Sequence, residues 1–303
     1  MQRWTNPVYP HNFPDPQIVR TEDGWLAIAT NGPGGNVQAL TSQDLVSWQP
    51  APDALPTLPS WTRPGRVWAP EIIEVDGRWV MYYTTPGPDS RLQCVSTATA
   101  DRPEGPYTDV RSGPLVFESA VGGSIDASPF RDQDGSLWLL WKNDGNAVGV
   151  DTWISLQQLS ADGTELVGQP RRVVKQDREW EGTLVEGPCL WRVDGSYHLF
   201  YSGNGFASPD YAVGHAVADS LTGPWTKDPE PLLVGNDVAA GPGHCSLFAD
   251  GDRVWMVYHA WMPGAVGTRD PGRTMWLSQV HFDGAAVRVD EPRLENTLVP
   301  APR

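Results

Sequence analysis

Five times along the chain, a short polar turn ending in glycine is followed by an unbroken apolar and aromatic run. The turns end at Gly24, Gly77, Gly135, Gly195 and Gly251, and the runs read WLAIAT, RWVMYYT, SLWLLWK, SYHLFYS and DRVWMVYHA. Aspartate precedes the glycine in all five, and an Asp-Gly turn between apolar segments predicts a tight hairpin, because the turn needs positive φ. Each copy therefore reads as two paired strands. The glycines are 53, 58, 60 and 56 residues apart.

A second turn follows each hairpin. It spans Thr41–Trp48, Ala100–Tyr107 and Asp219–Trp225 in copies one, two and four, and centres on Asp162-Gly163 and Asp283-Gly284 in the others. Two hairpins make four strands, and four strands in a unit of this length is the size of a propeller blade. No segment sustains a period of 3.6 residues, and proline is spread throughout, which weighs against long helices. The expected fold is all-β: a five-bladed β-propeller of four-stranded blades around a central axis. The blades fill residues from about 12 to 292, so residues 1–303 read as one propeller domain. A two-sheet sandwich is the alternative, but regular repetition favours the ring. What closes that ring is not visible in the pattern.

Composition agrees. Gly (31) and Pro (29) make up about a fifth of the 303 residues, while 15 Trp and 40% hydrophobic residues exclude a disordered chain. A net charge of −15 argues against a nucleic-acid partner and against anionic membranes. Cys94, Cys189 and Cys245 are odd in number and far apart, which reads as buried free thiols. The opening Met1-Gln2-Arg3-Trp4 lacks a signal-peptide core, and no run approaches 18 apolar residues. A soluble chain is expected, cytoplasmic or secreted after loss of a leader.

Candidate chemistry emerges from position within the repeat. Nine residues before each turn glycine stand Asp15, Trp68, Asp126, Glu186 and Pro242. Three of five are carboxylates, each placed just before its blade's first strand. In a propeller those strands line the channel, so equivalent positions converge at one end. Clustered acids raise one another's pKa, a cost that suits sugar cleavage, where one carboxyl is protonated while another is ionised. An isolated acid at a turn needs no function; three at one repeat position do.

The same segments carry a resemblance. Asn6-Pro7-Val8, Phe13-Pro14-Asp15-Pro16, Trp68-Ala69-Pro70-Glu71, Ser124-Ile125-Asp126-Ala127-Ser128 and Glu186-Gly187-Pro188, in that order, resemble glycoside hydrolase family 43 over nearly the whole chain. The resemblance implies a five-bladed propeller and inversion of configuration. It casts Asp15 as general base, Glu186 as general acid and Asp126 as the residue that orients Glu186 and tunes its pKa. An inverting pair stands about 6.5–9.5 Å apart to admit water. It departs from the family's pattern at Cys189, where relatives carry an aromatic residue or His; that touches substrate contacts and not the chemistry.

Further residues join the candidate site. Trp68 and Phe13 offer aromatic faces to a sugar, and Arg273 is placed where similar enzymes bond the terminal sugar. His244 is placed where relatives hold a calcium through water or organise the acids; a lone His cannot itself build a calcium site. No cofactor is required for the chemistry, and structural Ca2+ is the one cation the resemblance suggests. Lys142-Asn143-Asp144 could reach substrate, while His259 and His281 read as structural. The implied activity is release of L-arabinofuranose from plant cell-wall glycans, ahead of D-xylose release and endo-arabinanase action. A retaining sucrose- or fructan-cleaving propeller would place Arg-Asp-Pro before its Glu-Cys acid, whereas Arg269-Asp270-Pro271 comes after Glu186. A non-catalytic glycan-binding propeller is the reading from another class, and it would normally have lost one of the three acids.

Overall fold

A computed structural model describes residues 4–88 and 91–296. Five small antiparallel sheets follow one another around an axis as a five-bladed β-propeller. The first blade comprises Gln17–Thr21, Gly24–Ala29, Gln38–Ser42 and Trp48–Ala51. The third runs from Ser124–Arg131 through Leu137–Asn143 and Trp153–Leu159 to Leu166–Lys175. The fourth holds Val185–Val193, Ser196–Gly203, Ala212–Ala218 and Thr226–Lys227; the fifth holds Ala240–Asp250, Arg253–Trp261, Thr274–Asp283 and Ala286–Val289.

The second blade departs from the expected four strands. It has Trp68–Val75, Arg78–Pro86 and Gln93–Ala100, with only the bridges Thr99↔Thr108 and Val95↔Val116 where a fourth strand would lie. Pro103, Pro106 and Pro114 fall in that stretch. Proline has no N–H to give a ladder, so an edge strand there is reduced to bridges.

The unbroken apolar runs are the second strands of the blades, buried on both faces. Their side chains alternate between the two neighbouring blades. Trp25 and Ala27 pack with Phe248 and Trp255 of the fifth blade, whereas Leu26 and Ile28 pack with Met81 and Tyr83 of the second. Leu139 and Trp141 pack with Val80 and Tyr82, and Leu140 joins Leu199 and Tyr201. Each fully buried Leu contributes about 2 kcal/mol by leaving water. The core is thus the set of blade-to-blade interfaces.

The ring closes at its chain ends. Trp4–Thr5 pairs with Glu295–Asn296, and Tyr9 bridges Met275 in the fifth blade. The Asn6 amide donates to Leu277 O and accepts from Leu277 N, so this N-terminal stretch is clipped onto the last blade before the first begins. Among the described residues no helix is long and apolar enough to cross a membrane.

Candidate active site

Four of the five inner strands carry a bulge at the same place. Residue pairs 69–70, 126–127, 187–188 and 244–245 each face a single residue of the next strand. In the first blade, Asp15 and Pro16 occupy the same place between Pro14, which accepts from Thr30 N, and Gln17. The leading residue has positive φ in all five: Asp15 (58°), Ala69 (42°), Asp126 (59°), Gly187 (55°) and His244 (46°). Bulges re-aim side chains, and left-handed non-glycine residues gather at functional sites.

The bulge corrects the counting from the turns. Asp15 and Asp126 are its leading residues, but Glu186 and Trp68 precede it by one, and His244, not Pro242, is the fifth equivalent. The glycine does not hold one place in its turn: Gly24 opens the second strand, Gly77 and Gly195 are second in their turns and Gly251 is first, so a fixed count drifts. Asp126 and Glu186 also lie within their first strands rather than before them.

Each bulge N–H is held by the preceding blade. Ala69 N donates to Thr30 Oγ1, Asp126 N to Thr84 Oγ1, His244 N to Ser202 Oγ and Asp15 N to His259 Nδ1, at 2.8–3.1 Å. Lys142, on the second strand of the third blade, holds the corresponding place. It cannot accept, and Gly187 N donates instead to Asp126 Oδ2 at 3.0 Å. A Cβ at Gly187 would come within 3.1 Å of the His244 ring, which explains the glycine.

These bulges bring Asp15, Asp126 and Glu186 to one cavity of about 580 Å³, lined also by Trp68, Lys142, Asp144, Phe206, His244 and Arg273. Asp15 Oδ1 lies 2.9 Å from Arg273 Nη1, 3.2 Å from His259 Nδ1 and 3.5 Å from His244 Nδ1. Burial opposes its charge, but Arg273 first and then His244 hold the carboxyl well below its ordinary range. Asp126 goes the other way. Burial pushes it up to about 6, with Glu186 and Asp15 adding to the rise against His244 and Lys142.

Glu186 is clamped at both oxygens. Oε1 accepts from the Tyr211 hydroxyl at 2.9 Å, and Oε2 from Lys142 Nζ at 3.0 Å. Burial works against its charge, yet Lys142 foremost, then His244 and Tyr211, keep its carboxyl low. Lys142 is fully buried and reaches Asp144 Oδ1 at 3.3 Å as well. A buried ammonium tolerates such a place only when paired.

Other expected residues are placed differently. Phe13 is fully buried against Tyr9 and does not line the cavity, because its N–H is tied to Arg273 O and its ring turns into the seam between the first and last blades. Cys189 packs beside Cys245 in the core between blades four and five, away from the cavity, and all three cysteines are free and buried. His281 is at the surface, 3.1 Å from Asp290. His244 Nδ1 lies between Asp15 and Asp126, as an organiser of acids would. Calcium takes six to eight oxygens, and among the described residues no three His, Cys, Asp or Glu side chains form a group that could hold a metal.

His259, read from its strand pattern as structural, instead touches Asp15 and is pushed down to about 4 by burial. Tyr211 and Phe206 carry no repeat signal. Phe206 is 46% exposed, accepts at its backbone carbonyl from Trp261 Nε1, and lies with its ring 4.7 Å from the Arg273 guanidinium. Lys142 did have a signal, being a charge at the end of an apolar strand.

Residues 4–285 match the model of glycosyl hydrolases family 43. A β-D-galactofuranosidase of Aspergillus niger is 31% identical over 271 residues, covering 84% of this chain and 75% of that protein. Xylosidase/arabinosidase 43B of Humicola insolens is 28% identical over 250 residues, 77% of this chain; the match spans 44% of that longer protein. A crystal structure of a thermostable family-43 glycoside hydrolase superposes with a TM-score of 0.88 at 28% identity, covering 98% of this chain and 99% of the other.

Proposed function

The chain belongs to glycosyl hydrolases family 43, and from that footing we propose that it is an inverting exo-glycosidase that releases L-arabinofuranose from arabinose-containing plant cell-wall oligo- or polysaccharides. One observation carries the reading: Asp15 and Glu186, on different blades, line a single cavity with Asp126 between them in chain order. Asp15, held ionised by Arg273, is suited to take a proton from water as its oxygen attacks the anomeric carbon. Glu186 delivers a proton to the glycosidic oxygen, which leaves with the bonding electron pair. Asp126 donates nothing to substrate in this scheme; it orients the Glu186 segment through Gly187 N. The chemistry uses these side chains and requires no cofactor.

A neutral sugar suits the cavity. Its acids outnumber Lys142 and Arg273, and the chain carries a net charge of −15, so anionic polymers are repelled. Trp68 supplies an apolar face. Furanose preference rests on the names of the relatives, one a galactofuranosidase and the other a xylosidase/arabinosidase. The latter name also favours β-D-xylose as the second reading.

Aryl α-L-arabinofuranoside and aryl β-D-xyloside, each with wild type and Glu186→Ala, test the proposal. Release of arabinose that collapses in the variant supports it, and NMR of the first-formed anomer reports inversion. Xylose release alone moves the assignment to the second reading. Silence on both and on the matching oligosaccharides points to a glycan-binding propeller.

A further inference from the structure

Four of the five places that could latch a bulge N–H to the preceding blade carry an acceptor: Thr30, Thr84, Ser202 and His259. The third blade carries Lys142, whose ammonium has three donors and no acceptor. There the latch passes to Asp126, which accepts from Gly187 N, and the cation meets Glu186 Oε2 at 3.0 Å and Asp144 Oδ1 at 3.3 Å. A lysine with no exposed surface at this point is a costly substitute for a threonine. Its place in the site calls for a role.

We propose that Lys142 is a positioning residue for the acid: it keeps Oε2 of Glu186 as an acceptor, so that the proton delivered to the glycosidic oxygen is carried on Oε1. The inference rests on the reading of Glu186 as general acid. While the ammonium bond stands, Oε2 cannot share a proton with its partner. Oε1 can, because its partner is the Tyr211 hydroxyl, which turns from donor to acceptor. On bond cleavage the proton passes from Oε1 to the leaving oxygen, and the new carboxylate is received by Lys142 Nζ and by the Tyr211 hydroxyl, which turns back to donate. The other groups facing Glu186 are Asp126 from the third blade's inner strand and His244 from the fifth's. Neither is a hydrogen-bond partner of either oxygen; those are Lys142 and Tyr211.

The test compares wild type, Lys142→Met, Lys142→Arg, Glu186→Gln and the Lys142→Met/Glu186→Gln double variant. The substrates are aryl glycosides of the released sugar, from 2,4-dinitrophenyl to phenyl, assayed across pH. A departing dinitrophenolate needs little protonation; a departing phenolate needs it. Lys142→Met is expected to lose at least tenfold more kcat/KM on the phenyl than on the dinitrophenyl glycoside. Its basic limb should move to higher pH, since the cation favouring ionised Glu186 is gone. In the Glu186→Gln background the same change should add less than twofold. The double variant removes both charges of the Lys142–Glu186 pair, so it provides the comparison even where Lys142→Met folds poorly, and Lys142→Arg should keep the basic limb while steepening the leaving-group dependence. An equal loss on every substrate with an unmoved pH profile, or additive losses in the double variant, would overturn the role of Lys142 and leave the acid intact. A wild type that cleaves none of the series defeats the glycosidase reading itself, and this inference with it.

Discussion

Arg273 Nη1 stands 2.9 Å from Oδ1 of Asp15, an ion pair that joins the last blade to the first across the cavity. The arginine expected to bind sugar is thus also a partner of the proposed base. Removing it should let the Asp15 carboxyl rise, so the acidic limb of kcat/KM should shift to higher pH in Arg273→Met, with a loss of about tenfold or more on the acid side. Arg273→Lys should restore part of the shift, since a point charge lacks the guanidinium fork. A pH–rate profile on an aryl glycoside measures both.

Asp15→Asn and Glu186→Gln should differ in kind. The first removes the group that activates water and should cost about 10²–10⁴-fold on every substrate. The second should cost that much only where the leaving group needs a proton. Steady-state kinetics on dinitrophenyl and phenyl glycosides separates the two.

Glu71 sets a stability limit away from the chemistry. It lies buried behind Asp126, accepts from Ser128 Oγ at 2.9 Å, and is pushed by burial from an ordinary 4.5 up to about 8. Its folded form keeps a proton that the unfolded chain has released. The resulting stability is fully present below pH 4.5 and is lost as pH rises towards 8. Glu71→Gln should flatten this decline and exceed wild type near pH 8, as read from urea midpoints at pH 5 and pH 8.

Thr84 holds the bulge of the third blade through Asp126 N. Thr84→Val keeps the shape and removes the acceptor, leaving a buried N–H without a partner. The expected loss is about 1–3 kcal/mol in urea unfolding, accompanied by lower activity as Asp126 loses its anchor.

The ring of blades was legible because two faces of burial and a tight turn leave marks in order and spacing. Gly24 through Ala29 is buried at every position, so it reads as a continuous apolar run. The three acids were legible for the same reason, since repetition exposes a departure from the hydrophobic pattern. The bulge was not, because one extra residue in a strand looks the same as a longer turn. Trp68 and Glu186 consequently shared a count with Asp15 without sharing its backbone position. Phe13 turns into the seam between the first and last blades and His259 meets Asp15, placements that the strand pattern does not carry. Lys142 stood out by charge, but Tyr211, the other partner of Glu186, lies just before the third strand of its blade and carries no repeat signal.

The clip of Trp4–Thr5 onto Glu295–Asn296 has a consequence for synthesis. Asp15 leaves the ribosome early, yet its partners His259 and Arg273 belong to the fifth blade and come last. Contacts of such sequence separation form late. The proposed base is therefore without its arginine until the final blade has emerged and docked, so a stalled or truncated nascent chain would carry all three acids and still lack an assembled site.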